Sequence, residues 1–79
     1  MSYCRAGNGS DVYAYRSMFG GWEVHHKDGD IHCVSREQFR NVLKALREAG
    51  QRVPQSAIDR IEREIAEANP TSSQSPKQS

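Results

Sequence analysis

Scarcity is the first property of this chain. Its 79 residues hold only two cysteines, three prolines and one tryptophan, and no apolar run approaches the roughly 18 residues that a membrane span needs. Two cysteines, Cys4 and Cys33, are too few for a disulfide framework, and no Cys-x-x-Cys pair marks a zinc site. Charge of one sign is missing too. A formal net charge of +1 argues against a protein that works mainly by bulk attraction to DNA or to an anionic membrane. The opening Met1-Ser2-Tyr3-Cys4-Arg5 lacks the charged and apolar regions of a secretory signal, so a cytoplasmic location and free thiols are the expectation.

What is present fits one small domain. The hydrophobic fraction of 35% and charged fraction of 27% are those of a water-exposed globular chain near the lower size limit for a single core. Residues 1–69 read as that domain, and residues 70–79, polar and rich in Ser and Gln, as a disordered tail. The body is slightly basic and the segment 54–69 acidic.

Residues 4–10 read as a loop, and Asp11 to Met18, rich in β-favouring residues, as the first strand. Either Tyr13/Tyr15 or Val12/Ala14 fits its inward side; the tyrosines, with hydroxyls reaching the rim, are the preferred set. Gly20-Gly21 marks a hairpin before a second strand over 22–27, and Asp28-Gly29 suits a type I′ turn before a third over 31–34. That turn sets Lys27 against Asp30, His26 against Ile31, His25 against His32 and Val24 against Cys33. Trp22, Val24, His26, Ile31 and Cys33 then share the core face, with Glu23, His25, Lys27, Asp30 and His32 outside.

Ser35-Arg36-Glu37-Gln38 has the form of a capping box, so a helix is predicted from Arg36. Phe39, Val42, Leu43 and Leu46 make one apolar stripe, and Gly50 is the expected left-handed terminator. Pro54 suits the first position of a second helix, on which Ile58, Ile61, Ile65 and Ala68 repeat at helical spacing. The predicted fold is α+β, a three-stranded antiparallel meander followed by two helices.

Chemistry has little to stand on. Cys4, His25, His26, His32 and Cys33 are the residue types zinc takes, yet strand neighbours point to opposite faces, and His25 with His32 makes at most half a site. The blander reading of that pair is a solvent-facing cross-strand contact that loosens when both rings are protonated. Cys33 with His26 is the one thiol and base that the register brings near, both facing the core. Gly7-Asn8-Gly9 is too short to cradle a phosphate and precedes a strand. No enzyme activity, cofactor or metal is expected. The aromatic residues Tyr3, Tyr13, Tyr15, Phe19 and Trp22 are needed mostly for the core.

Two resemblances add context. Met1-Ser2-Tyr3-Cys4-Arg5, the run Ser10-Asp11-Val12-Tyr13-Ala14-Tyr15, Gly20-Gly21-Trp22 and Ala49-Gly50-Gln51-Arg52-Val53-Pro54 together resemble small proteins of bacteriophages and prophages, over the first two thirds of the chain. The likeness implies phage or mobile-element origin and, by context, an inhibitor of host defence of the anti-CRISPR type. The order of three strands, a helix and Gly50-Gln51-Arg52-Val53-Pro54 is similar to the antitoxin partner domain of the HicB type, without that family's landmarks on the strands.

The expected function is a non-catalytic binding module that inhibits or modulates a host protein or ribonucleoprotein complex. The expected contacts are Arg16, Glu23, His25, Lys27 and His32 on the sheet, with Arg36, Arg40, Lys44 and Arg47 along the first helix. A small nucleic-acid-binding domain is the rival, supported by that basic flank and opposed by the charge balance. A homodimer through an exposed edge strand or the second helix is a further expectation.

Overall fold

The computed structural model describes residues 2–7 and 9–68. The chain is α+β, with an antiparallel four-stranded sheet followed by two helices: β1 (Ser2–Cys4), β2 (Tyr13–Arg16), β3 (Trp22–His26), β4 (Gly29–Cys33), α1 (Arg36–Glu48) and α2 (Gln55–Ala68). The strands lie in sequence order, which leaves β1 and β4 at the edges. Both helices pack on one face of the sheet, where Phe39, Leu43, Leu46, Ala57, Ile58 and Ile61 join Val12, Ala14, Trp22, Val24 and Cys33 in the core.

The expected three-stranded meander gains a strand at its start. Three residues show no periodicity in a sequence, but β1 is fixed by long-range contacts. The Trp22 indole donates to the Tyr3 hydroxyl at 3.2 Å, and that hydroxyl donates to Glu64 of α2 at 2.6 Å. Burial, then the bond to Glu64, raises the pKa of Tyr3 above its ordinary value. Arg60 lies 4.7 Å from the Tyr3 ring and donates to the Ser2 carbonyl, so α2 covers the β1 edge. A bulge between Ser2 and Cys4 breaks the alternation, which is why the neighbours Tyr3 and Cys4 are both buried.

The inward side of the first strand is the reverse of the preferred reading. Ala14 pairs with Val24 inside, with Val12 also fully buried, while Tyr13 pairs with His25 and Tyr15 with Glu23 on the outer face. The core space that large rings would fill is already taken by Tyr3, Trp22 and Phe39, whose rings meet at 4.9 Å for Tyr3 with Phe39 and 6.2 Å for Trp22 with Phe39. The strand is also shorter than expected, ending at Arg16.

The hairpin of β3 and β4 closes one residue earlier than its Asp28-Gly29 signature implies. His26 pairs with Gly29, His25 with Asp30, Val24 with Ile31, Glu23 with His32 and Trp22 with Cys33. A type I′ turn on Asp28-Gly29 needs positive φ at both residues, yet among the described residues only glycines have it, and Gly29 carries φ +134°. Lys27 and Asp28 therefore form the tip. The Asp28 N–H bonds to Nδ1 of His26 at 3.4 Å. Pairing shifts by two positions, so every side chain keeps its face. The new register sets each outer histidine against an acid instead of against the other histidine.

The helices follow their signals closely. Ser35 caps α1, accepting from the Gln38 N–H at 3.1 Å, while the Gln38 side chain reaches back to the Val34 N–H rather than that of Ser35. At the other end Gly50, φ +100°, donates to Arg47 and Gln51 donates to Leu46, a Schellman ending. Helix α2 starts one residue after the expected position, with the Pro54 carbonyl accepting from Ala57. Asp11 and Arg52 clasp the loops across the domain, since Asp11 accepts from the Arg52 main chain at 2.7 Å and guanidinium at 3.0 Å. The expected tail over 70–79 lies outside the described residues.

Candidate functional site

The outer face of the sheet carries an ordered row of polar and aromatic groups. His25 Nδ1 lies 2.6 Å from Asp30, and its Nε2 lies 3.1 Å from the Tyr15 hydroxyl. A carboxylate only accepts, so Nδ1 donates to Asp30, which leaves Nε2 as the side of the ring that meets the tyrosine hydroxyl. The Tyr15 and His25 rings lie nearly parallel with centroids 5.4 Å apart, and Tyr13 stands 4.9 Å from Tyr15. On the adjacent row His32 Nδ1 meets Glu23 at 2.5 Å. Each outer histidine thus faces an acid, so the pair of opposed imidazoles expected to loosen the hairpin is not formed.

A hydroxyl, an imidazole and a carboxylate in line have the order of a nucleophilic triad, but the environment works against one. Burial, followed by the charges of Glu23, Tyr13 and Asp30, pushes the Tyr15 hydroxyl above its usual range, away from an activated nucleophile. The row lies on an open sheet face. The nearby hollow, lined by Arg5, Ala6 and Tyr13, opens broadly to solvent. Cys33 and His26 are not neighbours either: their partners Trp22 and Gly29 stand at opposite ends of the hairpin. Burial pushes the thiols of Cys4 and Cys33 up, toward the inert protonated form. Both cysteines are unbridged, and among the described residues no group of three His, Cys, Asp or Glu gathers as metal ligands.

The contacts expected from the sequence separate into two groups with the sheet between them. Glu23, His25 and His32 share the outer face, with Lys27 at the hairpin tip. Arg16 belongs to the helix side instead, because it follows Ala14 in the alternation; its guanidinium lies 5.3 Å from the Trp22 ring. Arg36 covers the same ring at 5.4 Å, a cation–π contact. Lys44 pairs with Glu62 at 2.9 Å and Arg47 donates to Gln55, so half of the basic flank is engaged with α2, while Arg40 donates to its neighbour Asn41.

The most unusual surface was not singled out in the sequence. Met18 and Phe19, at the tip between β2 and β3, are 87% and 92% exposed. The turn is closed by Ser17 N–H to Gly21 O at 3.0 Å, Gly20 N–H to Ser17 O at 3.2 Å and Phe19 N–H to the Ser17 hydroxyl at 3.1 Å. Gly21 has φ +80°, and a side chain there would stand 2.5 Å from the Cys33 carbonyl. Exposed Val34 follows Cys33 at the same end of the sheet, and Arg16 and Arg36 stand at its base. The signal was available: two apolar residues between Ser17 and Gly20-Gly21 occupy a turn too tight to bury them. Among the described residues no helix is long and apolar enough to cross a membrane. No family model, curated protein or solved structure matches the chain.

Proposed function

We propose that this chain is a non-catalytic protein-binding module that inhibits or modulates a protein complex, and that the Met18–Phe19 tip is its anchor. One observation carries the reading. A domain this small needs its large apolar side chains for the core, yet it presents two of them almost completely to solvent on a turn held by three hydrogen bonds. A pre-ordered aromatic anchor costs little entropy on docking. Arg16 and Arg36 at the base of the tip match a partner with an apolar socket and an acidic rim.

The resemblance of the opening and hairpin segments to phage proteins makes a host complex the partner to test first, an anti-CRISPR target among them. Nucleic acid fits the outer face less well. Tyr13, Tyr15, His25 and His32 offer rings for stacking, but Glu23 and Asp30 stand among them and repel phosphate.

The test is capture from bacterial lysate on the tagged full chain, treated with nuclease and washed at high salt. A stoichiometric protein that survives both treatments is expected. Recovery of nucleic acid alone, lost in salt, overturns the reading.

A further inference from the structure

The two edges of the sheet are finished differently. Helix α2 covers β1, whereas nothing among the described residues pairs with the far side of β4. The Cys33 carbonyl points toward β3, because a side chain at Gly21 would meet it at 2.5 Å. Strand alternation then aims the main-chain groups of Gly29, Ile31 and Cys33 at β3, and those of Asp30 and His32 outward. Among the described residues no further main-chain partner for Asp30 or His32 is found.

From this we infer that β4 pairs antiparallel with β4 of a second copy of this chain, about a two-fold axis at Ile31. Three features of the strand favour that register. Asp30 of each copy then stands opposite His32 of the other as a hydrogen-bonded pair, giving four main-chain bonds from the groups that point outward. The side chains across the junction are of opposite character, and the rows Glu23–His32 and His25–Asp30 join into an alternating line of acid and imidazole through both sheets. On the helix side the two copies of half-buried Ile31, which packs beside the core, meet at the axis. A two-fold at Asp30 or His32 would instead set like groups across the seam.

The result is an eight-stranded sheet with both Met18–Phe19 tips exposed, so dimerisation is compatible with the proposed binding mode but does not depend on it. The seam is one strand wide, which places it among small, reversible interfaces with a dissociation constant on the order of micromolar.

Sedimentation of the full chain from about micromolar to millimolar concentration tests this, combined with amide hydrogen exchange at both ends of the range. The expected result is conversion from 8.9 kDa monomer to dimer, with the Asp30 and His32 amides becoming protected as the dimer forms. His32→Pro removes an outward N–H that the monomer does not use, and edge strands tolerate proline there, so a folded monomer is expected. Ile31→Lys sets two like charges at the axis and should give the same outcome, with a cooperative thermal transition confirming the fold. A wild-type chain that stays monomeric throughout contradicts the inference. So does a dimer whose Asp30 and His32 amides exchange freely, or one that survives both substitutions.

Discussion

The two faces of the sheet differ by a single step along each strand, yet they serve different ends. On the helix side Ala14, Val24 and Cys33 are sealed with Phe39, Leu43 and Ile58 in one apolar cluster. On the outer side Tyr15, Glu23, His25, Asp30 and His32 hold one another in pairs that water still reaches. The comparison teaches that the apolar burial is concentrated on one face, which leaves the other, with the Met18–Phe19 turn, open for the recognition we propose.

Breaking the inner face should have the largest effect. Phe39→Ala removes a fully buried ring that touches both Tyr3 and Trp22, and a loss of about 3–5 kcal/mol is expected from urea unfolding. For a domain of this size that is most of the stability. Gly21→Ala sits at the junction of the two regions. Its positive φ and the approach to the Cys33 carbonyl predict a cost of roughly 1–3 kcal/mol, read from the same titration. On the outer face, Glu23→Gln or Asp30→Asn should each cost less than about 1 kcal/mol, since both histidine–carboxylate contacts are partly exposed. A large loss from either would mean that the outer row carries the fold.

The Asp11–Arg52 clasp gives a smaller, pH-dependent contrast. Hydrogen bonds from Arg52 hold the Asp11 carboxyl below its ordinary value. A depressed carboxylate contributes stability above its unfolded value of about 3.9, and that contribution disappears as pH falls through the folded value. Wild type and Asp11→Asn should therefore differ near neutrality and converge in acid; a gap that widens in acid would reverse the assignment.

Much of the architecture was legible in the residues, for identifiable reasons. Ser35 and Gln38 announced the start of α1, Gly50 its end, and the Phe39–Leu43–Leu46 stripe its buried side, because each signal is local. The faces of β3 and β4 followed from alternation and survived the two-position shift in pairing. Strand β1 was hidden because Tyr3 is held by residues far from it in sequence, Trp22 at a separation of 19 and Glu64 at 61. The turn was misplaced because a glycine can sit within a two-residue turn or just after it; here Gly29 opens β4 at φ +134° with Lys27 and Asp28 at the tip. The site was half legible: Glu23, His25 and His32 do share a surface, but Lys44 and Arg47 are tied to α2, and Met18 and Phe19 read as strand and core. Reversing charge at Lys44 would thus disturb the α1–α2 contact as well as any partner.

The central claim, that recognition resides on the tip and stability on the inner face, is tested most directly by Met18→Ser/Phe19→Ser. Its unfolding midpoint and its capture of the wild-type partner, measured on the same preparation, should diverge. Stability is predicted to stay within about 0.5 kcal/mol of wild type while capture is lost. Undiminished capture by the folded double variant, or loss of the fold itself, would contradict the account.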